Sequence, residues 1–160
     1  MASTNHNTYT NIINAFTYTT LDPINNEPTY EGLKLLREQL GENAARIPTS
    51  YGGGFFGHLG LVTKPNVYLT LAGEQFVIPQ DPGTYNIRIP LCAAAGERAR
   101  MEKEHEKRKQ DYDTCLAVSN ALKNQIVETI KGPYLAELRN RRFGYPNSIP
   151  LDMFDHLFDR

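Results

Sequence analysis

The sequence has no tryptophan and only two cysteines, and its charges nearly cancel, with 17 Lys and Arg against 18 Asp and Glu. A dedicated nucleic-acid domain carries a basic excess, so a net charge of −1 argues against one. The same near-neutrality leaves little long-range repulsion to oppose self-association. Apolar runs stay well short of the roughly 18 residues that a membrane span needs. Met1 to Thr20 is rich in Asn and Thr and lacks the basic start and apolar stretch of a signal peptide. Nor does Met1-Ala2-Ser3 carry the second-position glycine of myristoylation. His6, His58, His105, His156 and the cysteines show no CxxC or HExxH spacing, so no local metal site is expected.

Cys92 and Cys115 fall on one expected helix, about 35 Å apart along its axis, too far to bond to each other. The simplest reading is two free thiols in a reducing, cytoplasmic setting; an intermolecular disulfide is the alternative.

What is present fits one globular domain. The 160 residues are 40% hydrophobic and 22% charged, ordinary proportions for a folded chain. Twelve Gly and ten Pro imply several loops. Residues 1–10 read as a frayed tail, and Asn11 to Thr20 as a short strand or ordered arm. Thr29 is placed to cap a helix over about Tyr30 to Ala45, with Leu33, Leu36, Leu40 and Ala44 as its apolar stripe. Thr63-Lys64-Pro65 starts either a short helix carrying Val67, Tyr68 and Leu71 or a hairpin, the helix being favoured. Phe76 to Pro79 reads as extended, and Asp81-Pro82-Gly83 as a turn.

A long helix is expected from about Leu91 to Lys131, stopped by Gly132-Pro133. Its first half is nearly all charge. Its second half carries a stripe of Tyr112, Cys115, Leu116, Ser119, Leu122, Ile126 and Ile130. A short helix over Tyr134 to Asn140 and a loop follow. Ser148 then caps an amphipathic helix bearing Leu151, Phe154, Leu157 and Phe158. The expected fold is mainly α: a helical bundle with one long helix and a Gly/Pro-rich irregular or short-β segment over about residues 49–90, in a single domain spanning 1–160.

Catalytic signals are sparse. Gly52, Gly54 and Gly57 match G-x-G-x-x-G, but the run neither leaves a strand nor enters a helix, and no Gly-Lys-Ser/Thr follows. Close chain approach explains these glycines better. His58 sits among glycines and aromatics, where a catalytic base is sometimes exposed, but no carboxylate or nucleophile stands at a local pairing distance. Asp152, Asp155 and Asp159 line a polar helix face. The mixed-sign run from Arg98 to Asp113 reads as a solvated face or an inter-subunit contact. Arg139, Arg141 and Arg142, beside Phe143 and Tyr145, form the sole basic and aromatic cluster, a candidate RNA contact. A helix C-terminus also attracts cations for structural reasons alone.

Two stretches carry a resemblance. Gln125-Ile-Val-Glu-Thr-Ile-Lys-Gly-Pro-Tyr-Leu-Ala-Glu-Leu-Arg139-Asn-Arg-Arg-Phe-Gly144-Tyr, followed by Leu151-Asp-Met-Phe-Asp-His-Leu157-Phe, resembles the Gag proteins of copia-type long-terminal-repeat retrotransposons. The glycine string Gly52 to Val62 followed by Tyr68 resembles the preceding region of Gag-like proteins encoded in protist genomes. Together they cover about half the chain. The resemblance implies a helical capsid domain, or a domesticated relative, that multimerises into a shell around RNA. It implies no cofactor, no membrane and no small-molecule substrate. No zinc knuckle is present, so strong RNA binding of that kind would lie downstream of Arg160 or be absent. Leu151, Phe154, Leu157 and Phe158 are then candidates for an assembly interface or the core. Two rivals remain at this point: an RNA-binding adaptor using Arg139, Arg141 and Arg142, and a small enzyme with a site near His58.

Overall fold

A computed structural model describes residues 2–84, 95–131, 133–136, 138 and 148–159. The fold is mainly helical, and no strand occurs among the described residues. In chain order the elements are α1 (Ala2–Ala15), α2 (Tyr30–Ala45), α3 (Pro65–Ala72), α4 (Ala95–Thr129) and α5 (Pro150–Phe158). Short 3-10 turns lie at Leu59–Leu61 and Pro133–Leu135.

Where the sequence suggests a frayed tail and then a short strand or ordered arm, no strand forms, and a helix takes up the start of the chain. One helix, α1, covers Ala2–Ala15. Thr and Asn are poor helix formers, so propensity argues against it. Packing decides instead: Ile12 and, just past the helix, Phe16 are buried in the common core. Asn124 Nδ2 on α4 also donates to the Tyr9 hydroxyl at 3.0 Å.

Thr29 caps α2, its Oγ1 accepting from Gly32 N–H at 3.0 Å. The stripe of Leu33, Leu36, Leu40 and Ala44 is buried along its whole length. Pro65 occupies the first turn of α3, where its missing N–H costs nothing. Gly73 ends that helix in the left-handed conformation, its N–H returning to Leu69 O.

α4 spans about 52 Å and has two characters. From Ala95 to Gln110 nearly every residue is exposed, whereas Cys115, Val118, Ala121, Leu122 and Ile126 are in the core. Its buried half touches α1, α2 and α5, making it the central helix. Leu116, expected in the apolar stripe, is 44% exposed, and Val118 takes the buried place. Because neighbours cover it on several sides, the buried face also takes in Lys123, Gln125 and Thr129.

Where α4 ends, Ile24 N–H donates to Thr129 O at 2.7 Å and Lys131 N–H to Ile24 O at 3.1 Å, an isolated parallel bridge. The helix expected over Tyr134 to Asn140 is seen as the 3-10 turn at Pro133–Leu135, the end of that stretch lying outside the described residues. α5 is capped one residue later than expected: Ile149, not Ser148, occupies the cap, and the Asp152 carboxylate accepts its N–H at 3.1 Å.

A buried amide pair ties these layers together. Asn43 on α2 accepts from Tyr18 N–H at 2.8 Å and donates to Tyr18 O at 2.9 Å. It also donates to Gln125 Oε1 on α4 at 3.1 Å, and Gln125 Nε2 returns to Tyr18 O at 2.9 Å.

Candidate functional site

Two places merit consideration: the polar cluster around His58, and the surface formed by α2, α3 and α5.

The first is built by the glycine string. Gly57 has φ +52°, and a Cβ there would lie 2.5 Å from Ala45 O and 2.6 Å from Ile47 O, so only glycine fits. The close approach lets His58 N–H donate to Ala44 O at 2.9 Å, satisfying a carbonyl at the end of α2. It also buries the His58 ring completely. His58 Nδ1 lies 2.8 Å from Ile47 O, which can only accept, so the proton resides on Nδ1. Nε2 is therefore the acceptor, and the Tyr51 hydroxyl donates to it at 2.9 Å.

Burial sets the protonation of His58, Tyr51 and Cys115. It pushes the His58 pKa down, against the opposing pull of the Ile47 carbonyl and the Asp111 charge. It pushes Tyr51 far up and raises the Cys115 thiol. All three are neutral near pH 7. A buried neutral thiol is a weak nucleophile, and the free lone pair of His58 is already taken. What this arrangement does well is fasten the glycine loop to the end of α2 and the segment that follows it. Above it lies an open depression of about 460 Å³ that includes Thr49, Ser50, Lys107 and Asp111. Among the described residues, no group of three or more His, Cys, Asp or Glu could hold a metal ion. No described helix is long and apolar enough to cross a membrane.

The second place is a groove of about 770 Å³ between α2, the segment from Leu59 to Val67, and α5. Ala45, Leu59 and Val62 form an apolar floor, with Tyr30 and Phe158 on the walls. Gly41 permits this depth, since a Cβ there would press Leu59 at 3.1 Å. Along one edge runs α3. Its eight residues are the apolar sequence PNVYLTLA, yet Tyr68 alone is buried. Val67 is 52%, Leu69 41% and Leu71 53% exposed. Phe55, Val77 and Ile78, from the flanking segments, are exposed as well.

The residues singled out from the sequence are dispersed by the structure. Leu151, Phe154 and Leu157 are buried in the chain's own core. Phe158 is partly covered: Tyr30 packs edge-on at 5.5 Å, and the Arg37 guanidinium sits over its ring at 5.0 Å. Asp155 and Asp159 stand at the groove rim. Arg139, Arg141 and Arg142, with Cys92, lie outside the described residues. Sequence reasoning missed the exposed face of α3. Its signal was available: apolar residues fall on too many sides of an eight-residue helix for one neighbour to cover. Comparison with protein-family models, with curated proteins and with solved structures yields no match.

Proposed function

We propose that this chain is a structural, self-associating domain of the Gag-like capsid type, copies of which multimerise into a shell enclosing RNA, and that it is not an enzyme. The observation that carries self-association is the exposed apolar surface of α3, where Val67 and Leu71 on one flank and Leu69 on another are each exposed by two-fifths or more. Singly exposed apolar residues are ordinary, but a cluster on one short helix marks an interaction surface. The formal charge of −1 leaves copies free to approach one another. The resemblance of residues 125–145 and 151–158 to copia-type Gag proteins, and of Gly52 to Val62 with Tyr68 to Gag-like proteins encoded in protist genomes, supplies the kind of assembly. A shell uses many shallow contacts whose strength comes from repetition in a symmetric array.

The test is light scattering and negative-stain microscopy on the purified chain across concentration and salt, with and without RNA. Particles, tubes or discrete oligomers, with RNA protected from nuclease inside closed ones, are the expected result. Oligomers that never protect RNA would remove the shell and keep the association. A strict monomer under every condition would overturn the reading.

A further inference from the structure

We infer that two copies of this chain pair about a two-fold axis, each seating the exposed flank of its α3 in the other's groove between α2 and α5. The inference rests on the self-association proposed above and names the surface responsible for it.

The orientation of α3 is fixed by its own buried residue. Tyr68 is 1% exposed, and its hydroxyl donates to Gly52 O, so the helix cannot roll to hide its flanks. Lys64, Val67 and Leu71 follow one another at three- and four-residue steps, which aligns them along one flank as a ridge. Val67 belongs to the groove lining, so this ridge borders the furrow floored by Ala45, Leu59 and Val62. A ridge directly beside a furrow of the same apolar character is self-complementary. A two-fold rotation places each ridge in the partner's furrow and closes the contact at two copies.

Charge favours the same arrangement. The groove rim carries Glu38, Glu42, Asp155 and Asp159 against Arg37 and Lys64. The Arg37 guanidinium is occupied by the Phe158 ring. Lys64 stands at the start of the ridge, on the N-cap of α3. The two-fold contact therefore brings the lysine of each copy toward the carboxylates of the other, which fixes register as well as attraction.

Sedimentation of the full chain from micromolar to millimolar concentration tests this, with circular dichroism confirming that each variant is folded. Leu71→Glu, an exposed substitution, is expected to raise the dimer dissociation constant at least about tenfold. Lys64→Glu and Glu38→Lys are each expected to weaken pairing, because each sets like charges against one another twice in its own dimer. Mixed in equal amounts, these two variants recover an opposite-charge pair at both positions. The mixture should then associate about tenfold more tightly than either variant alone. Wild-type association that ignores Leu71→Glu, or a mixture no tighter than its components, would overturn the two-fold contact and leave self-association standing on another surface. A wild-type monomer throughout would overturn both readings. So would a monomer whose groove instead takes up a basic amphipathic peptide, which would assign the groove to a foreign partner.

Discussion

Tyr51 donates its only hydroxyl proton to Nε2 of His58, and the two rings meet edge to face with centroids 5.7 Å apart. The pair joins the end of the Pro48–Tyr51 segment to the glycine turn that follows it.

Removing the hydroxyl should cost stability without changing the fold. Tyr51→Phe leaves the buried Nε2 lone pair without a donor, at a cost of about 1–3 kcal/mol. Urea denaturation at neutral pH measures the loss, and an unchanged midpoint would show that the bond contributes nothing.

The same pair gives stability a pH dependence of known sign. The folded-state pKa of His58 lies below its ordinary value of 6.5, because burial disfavours the imidazolium. Between those two values the unfolded chain binds the proton and the folded chain does not, so stability falls as pH falls. The contribution is fully present above the unfolded value and is lost progressively toward the folded one. Comparing unfolding free energies between about pH 7.5 and about pH 5.5 in wild type and His58→Gln should show a shallower slope in the variant. Equal slopes would assign the dependence to carboxylates elsewhere.

Gly57 is expected to tolerate no side chain. Gly57→Ala places a methyl group against two carbonyl oxygens of the α2 terminus, in a left-handed conformation that L residues rarely adopt. A loss of about 2–4 kcal/mol follows, readable as a lowered melting temperature. Gly73, also at positive φ but with no atom near its missing Cβ, serves as the control. Gly73→Ala should cost only about 1 kcal/mol.

Along α5 the effects should separate by burial. Phe154→Ala opens a cavity in the core, with a cost of about 3–5 kcal/mol. Phe158→Ala removes a ring that is partly exposed at the groove wall, and the cost should stay below about 1.5 kcal/mol. Equal losses would mean that Phe158 is as much a part of the core as Phe154.

Helices α2, α3 and α5 were legible because their apolar residues recur at three- and four-residue steps, and Thr29 and Pro65 mark two of the starts. The exposed charged half of α4 was legible for the converse reason. α1 was not, since Asn and Thr conceal a helix that forms through Ile12 and its packing on α4. Leu116 was misplaced because it lies where α4 is only beginning to enter the core, with Cys115 and Val118 taking the buried places around it. Nor could the link from Tyr18 through Asn43 to Gln125 be read, because polar residues follow no period and their partners are far apart in sequence. Asn43→Ala should reveal that link by a loss of about 1–3 kcal/mol, since it strips the part-buried Tyr18 backbone N–H and the buried Gln125 oxygen of their partners. At the surface, the exposed flanks of α3 were passed over because apolar residues read as core, although they fall on too many sides of so short a helix for one neighbour to cover.

The divided character of α4 means that a single continuous helix belongs to two thermodynamic regimes. Its exposed half from Ala95 to Gln110 is held chiefly by its own ladder and pairs such as Arg100 with Glu104 at 2.9 Å. Such a segment exchanges amide hydrogens by local fraying, with little reference to the rest of the molecule. The half beyond Cys115 exchanges when the whole core opens. Amide protection read along this one rod would therefore climb from nearly nothing to the global stability, and the position of the step would mark where the body of the protein begins.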